Sequence, residues 1–187
     1  VGAGIEIGAG AMAKLQRVAI RQCSTHGLLL GTLGGAELTD VEITGNGGGA
    51  IAVQPGAQLA GLTGMTLTGN GQNGVRHLGG DVATGETWKS FGYPYYLIDG
   101  PVFVYGASAP VLTIEPGVVV KAAGGQVISV GDGGAGTLKA IGTAGRPIVF
   151  TTSGSLSPGT WQGIHFKAGS VGSRLEHVVV EGGGWDY

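Results

Sequence analysis

The feature that most constrains this chain is a phrase it repeats. "LTDVEITGNGGGAIAV" runs from Leu38 to Val53, and "LTGMTLTGNGQNGVRH" from Leu62 to His77. Placing Cys23, Asn46 and Asn70 in one column gives steps of 23 and 24 residues. Other positions then align as well. Leu15, Leu38 and Leu62 share a column, as do Val18, Val41 and Met65, and Ile20, Ile43 and Leu67. After the Asn column come Leu28, Ile51 and Val75, then Leu30, Val53 and His77. One step back from Leu28 and Leu30 lie Ile5 and Ile7.

Within a unit the apolar residues are spaced by two, as in Val41/Ile43 and Ile51/Val53. Period two belongs to strands. Each unit therefore predicts two short inward-facing strands joined by a Gly-rich corner. A fixed step of this length is the signature of a solenoid. The leucine pattern and helical segment of leucine-rich repeats are absent. Coils of short strands, stacked about 4.8 Å apart in parallel register, fit instead. The segment "AMAKLQRVAIRQC" has the composition of an amphipathic helix. Its Leu15, Val18 and Ile20 nevertheless sit in strand columns, and stacking overrides propensity. Glycine is 41 of 187 residues, which suits a chain with many sharp corners.

The asparagine falls at the corner between strands. Asn tolerates a left-handed backbone, and amides stacked one coil apart can pair in a ladder. The expected ladder is Cys23, Asn46 and Asn70. On these residues the chain resembles the right-handed parallel β-helix, whose corners carry such Asn stacks. The expected class is all-β, with residues 1–78 as the coils of one array.

The second half reads differently. Residues 79–96 are expected to be an irregular connector rich in aromatics, and 97–187 a second β-helix segment. "TIEPGVVV" and "TAGRPIVF" place Pro and Gly between alternating runs, which predicts turns. Over roughly residues 95–183 the sequence resembles modules of secreted bacterial multi-repeat β-helix proteins. The matching phrases are "LTIEPGVVVK", "AIGTAGRPIVF", a Trp-Gln-Gly-Ile segment and "LEHVVVE". That resemblance implies an extracellular or cell-surface location and a structural role as stalk, adhesin or fibre-forming scaffold. The chain reads as an excerpt of a longer array. Strand-bearing coils at both ends predict head-to-tail self-association.

The alternative reading is a carbohydrate-active or sugar-binding β-helix whose active coils lie outside this segment. Sugar cleavage needs clustered carboxylates. Asp40, Asp81, Asp99, Asp132 and Asp186 follow no common period, so the expectation leans away from an enzyme. Trp88, Phe91, Tyr93, Tyr95 and Tyr96 either plug the junction between coil stacks or offer a sugar-stacking platform. "GDGGAG" around Asp132 is expected to be a plain turn rather than a calcium loop. Thr39/Thr63 and Thr44/Thr68 form too few rungs for an ice-binding face. His77 is expected at a coil end, and His165 and His177 on the surface. No metal or cofactor is expected. Net charge is −2 without a basic run, which argues against nucleic acid. No apolar run is long enough to span a bilayer.

Overall fold

A computed structural model describes residues 2–184. Its regular structure consists of strands, three to each coil. The first coil holds β1 (Ala3–Ile7), β2 (Met12–Gln16) and β3 (Ala19–Arg21). The second holds β4 (His26–Leu30), β5 (Gly35–Thr39) and β6 (Glu42–Thr44), and the third β7 (Gly49–Val53), β8 (Gln58–Thr63) and β9 (Thr66–Thr68). The fourth holds β10 (Gln72–His77), β11 (Gly80–Val82) and β12 (Glu86–Trp88). Next come β13 (Tyr95–Leu97), β14 (Val102–Val104) and β15 (Val111–Ile114), then β16 (Val119–Ala122), β17 (Val127–Val130) and β18 (Thr137–Ile141). The last full coil holds β19 (Ile148–Thr152), β20 (Gly163–Phe166) and β21 (Arg174–Glu176), and β22 (Val178–Val180) follows.

Every ladder between named strands is parallel, and the coils stack as a β-solenoid. One face is a single eight-stranded sheet from β1 through β4, β7, β10, β13, β16 and β19 to β22. The other faces are divided. β2-β5-β8 and β3-β6-β9 serve the first coils, and β11-β14-β17-β20 and β12-β15-β18-β21 serve the later ones.

The core is a set of columns along this stack. Leu28, Ile51, Val75, Tyr95, Val120 and Phe150 are consecutive register partners. Each is 2 % exposed or less. Each branched aliphatic buried in this way contributes about 1.5–3 kcal/mol. A neighbouring column runs Leu30, Val53, His77, Leu97 and Ala122.

The sequence suggests two strands per unit, but the structure has three. The additional one is β5 and its equivalents, whose inward residues include the small Ala36. The helix-like segment forms β2 and β3. Residues 79–96 also depart from the irregular connector expected. They contain β11, β12 and the start of β13, and the long sheet passes through them in register. The remaining loop, around 89–94, covers the upper edge of β9, where the Leu67 amide donates to the Tyr93 hydroxyl at 3.1 Å. The Pro116–Gly117 step is a turn: Gly117 has φ 84°, and the Val118 amide donates to the Glu115 carbonyl at 3.2 Å.

Candidate functional site

Three places hold the polar and aromatic side chains singled out by the sequence. The first is the corner after β3, β6 and β9. Asn46 is 1 % exposed. Its Nδ2 donates to Asn70 Oδ1 at 2.7 Å, and the Cys23 amide donates to its Oδ1 at 2.9 Å. The Asn46 amide also donates to Asn70 Oδ1, at 3.0 Å. Asn73, which the column alignment passes over, stands at the next place. Its Oδ1 accepts from both the amide and the Nδ2 of Asn70 at 3.0 Å. The backbone strain does not fall on the asparagines. The left-handed residue is the one before Cys23, Asn46 and Asn70: Gln22 at φ 54°, Gly45 at 67° and Gly69 at 65°. The asparagine supplies hydrogen bonds and the preceding residue makes the turn.

The second place is the interior of the fourth coil. His77 is fully buried, in the inward column, rather than at a coil end. The Gly79 amide donates to its Nδ1 at 3.1 Å, so the ring proton sits on Nε2. Nε2 lies 3.2 Å from Glu86 Oε1. Trp88 Nε1 donates to the same oxygen at 2.7 Å, and the Gly56 amide donates to Oε2 at 2.8 Å. Burial pushes the Glu86 carboxyl upward, but His77 and these N–H donors outweigh it and hold the group below its ordinary value. Trp88 stacks on Tyr95, with centroids 5.2 Å apart and planes 12° from parallel. Burial raises the Tyr95 phenol, which accepts from the Lys89 amide at 2.9 Å.

The five aromatics therefore do not share one surface. Trp88 and Tyr95 are 1 % and 2 % exposed and offer no face to an external sugar. Phe91 and Tyr93 pack against each other and the core from the covering loop. Tyr96 points outward from the long sheet, beside Lys121, whose Nζ is 6.0 Å from its ring centroid. Arg76, its register neighbour, pairs with Asp99 through two hydrogen bonds.

The third place is an open groove on the outer face of β14, β17 and β20. Register sets Phe103, Ser129 and His165 side by side on successive coils. Val127 and Ser129 form the floor, at 7 % and 2 % exposed. Asp132 and Lys167 complete a space of about 640 Å³, within the range of small-molecule pockets. The Ser129 hydroxyl donates to Asp132 Oδ2 at 3.3 Å. Asp132 thus helps to close its own turn. A hydroxyl tied to the carboxylate, with no histidine between them, is not the relay of a nucleophilic serine. Just below, the Tyr105 hydroxyl donates to Asp81 Oδ2 at 3.0 Å, which raises the phenol. His165 is partly exposed and belongs to the groove, while His177 is exposed at φ 48°. Asp186 lies outside the described residues.

Among the described residues no cluster of three or more His, Cys, Asp or Glu side chains could hold a metal ion. None of their helices is long and apolar enough to cross a membrane. Comparison of the chain with protein families, curated proteins and solved structures finds no match.

Proposed function

We propose that this chain is a structural repeat segment of a secreted or cell-surface protein, serving as stalk, adhesin or fibre-forming scaffold. The observation that carries this reading is the eight-stranded sheet. Its strands stay paired from coil to coil while the other faces change partners, with one register shift between Gln72 and Val75 where β10 meets β7, so the stack is one body. Each coil rests on the next through backbone hydrogen bonds and interior columns, and each adds about 4.8 Å of length. Such an element gains reach by adding coils rather than by enlarging a core. The buried polar groups also serve the stack. The Asn ladder ties corners together, and the His77–Glu86–Trp88 network fills the coil where the faces change.

End-to-end association is part of the same proposal. β22 borders the long sheet, with Val179 and Val180 at 43 % and 49 % exposed. Further strands stacked there would cover them, whether from the same chain or from another copy.

The location is tested by labelling intact cells of the source organism with an antibody to this segment. Labelling before permeabilisation, lost after external protease, supports the proposal. Labelling only after lysis contradicts it.

A further inference from the structure

The groove over β14, β17 and β20 has features that packing alone does not call for. Phe103 is only partly covered, although it lies beside a closed apolar floor at Val127. Asp132 and Lys167 are both exposed at its rim, and neither belongs to an ion pair among the described residues. A carboxylate and an ammonium share one groove without neutralising each other. We infer that this groove is a binding site for a neutral oligosaccharide.

The groove's own chemistry selects that occupant. An extended peptide joins a sheet through an open strand edge. Here β17 is paired on both sides, to β14 and to β20, so no edge is offered. A polyanion would meet the Asp132 carboxylate, and a polycation the Lys167 ammonium. A metal ion would find one carboxylate, which already accepts from Ser129. A neutral sugar suits all of these groups together. Its C–H face covers the Phe103 ring and Val127, as apolar surface does on aromatic side chains. Its hydroxyls donate to Asp132 and accept from Lys167, and His165 can do either. The row Phe103, Ser129, His165 spans three successive coils, so the site accommodates a chain of several rings lying along the solenoid. This site is independent of the structural role proposed above.

The test is a calorimetric titration of the whole chain with cellotetraose, xylotetraose, mannotetraose and maltotetraose, with tetragalacturonate as the acidic control. The expected result is saturable binding of at least one neutral tetrasaccharide. Phe103→Ala and Asp132→Asn should each weaken it about tenfold, with melting temperatures equal to that of the parent chain. If Phe103→Ala lowers the melting temperature, Asp132→Asn, on an exposed turn, decides the matter. No binding of any neutral tetrasaccharide, binding of tetragalacturonate alone, or neutral binding untouched by Asp132→Asn would each overturn the inference.

Discussion

His77 Nε2 stands 3.2 Å from Glu86 Oε1 in the interior of the fourth coil, with both side chains 1 % exposed or less. A carboxylate there would be costly if it stood alone. It is tolerated because the Gly56 amide and Trp88 Nε1 both donate to it and His77 Nε2 lies beside it. The network holds together two parts of the solenoid whose side faces do not continue into each other. Its disruption should therefore be felt by the whole stack. Glu86→Leu leaves the Gly56 amide and Trp88 Nε1 without an acceptor, takes away the partner of His77, and is expected to cost about 3 kcal/mol. Urea denaturation followed by the far-ultraviolet strand signal measures this. A cost below about 1 kcal/mol would contradict the network.

The same residue sets a pH dependence. The folded-state value of Glu86 lies below its ordinary 4.5. Its contribution is therefore complete above that ordinary value and is lost as pH falls through the folded value. The melting temperature of the parent chain should drop more steeply below about pH 4.5 than that of Glu86→Gln, which has no carboxyl to protonate. Identical acid limbs for the two proteins would show that Glu86 gains nothing from its partners.

The corner ladder predicts a second loss. Asn46→Leu removes the acceptor of the Cys23 amide and the donor to Asn70. The expected cost is about 1–3 kcal/mol. An unchanged denaturation midpoint would mean that the corner groups find other partners without penalty.

Gly69→Ala separates backbone strain from crowding. A Cβ at Gly69 would lie 3.7 Å from its nearest neighbour, the Gly45 nitrogen, so there is room for it. The backbone has φ 65°, which an L side chain resists. The expected loss is about 1 kcal/mol. Gly27→Ala is the reverse case. Its Cβ would come 2.2 Å from Ile43 Cγ2, and overpacking is expected to cost about 1–3 kcal/mol. A Gly69→Ala protein as stable as the parent would remove the left-handed corner from the account.

The solenoid was legible in the sequence because the first coils have nearly equal lengths. Equal lengths put Ile20, Ile43 and Leu67 one above another, and Leu28, Ile51 and Val75 likewise. β5 was not legible, because one of its inward residues is Ala36, too small to mark a period. The coil over 79–96 was hidden by its aromatics. Trp88 and Tyr95 occupy inward strand positions but look like loop residues in a stretch without a fixed step. The asparagine column was visible. The assignment of the turn to the residue before it was not: Gly45 and Gly69 suit a left-handed corner, but Gln22 in the same column does not mark one. The groove could not be read at all. Phe103, Ser129 and His165 are unequally spaced in the chain, and only the register of β14, β17 and β20 brings them side by side.

The central claim is that the long sheet runs unbroken through the fourth coil into the coils beyond it. It makes Arg76 and Tyr96 direct register partners, both facing outward on adjacent parallel strands. Cysteines at such positions lie within the Cα separation of about 4.4–6.8 Å that a disulfide spans. The decisive measurement is oxidative cross-linking of Arg76→Cys/Tyr96→Cys in a Cys23→Ser background, read by peptide mass spectrometry. The account predicts rapid intramolecular cross-linking of this pair, and little of the shifted pair Arg76→Cys/Tyr95→Cys, whose second thiol faces the core. Free thiols in the first pair, or preferential bonding of the shifted one, would contradict a continuous sheet.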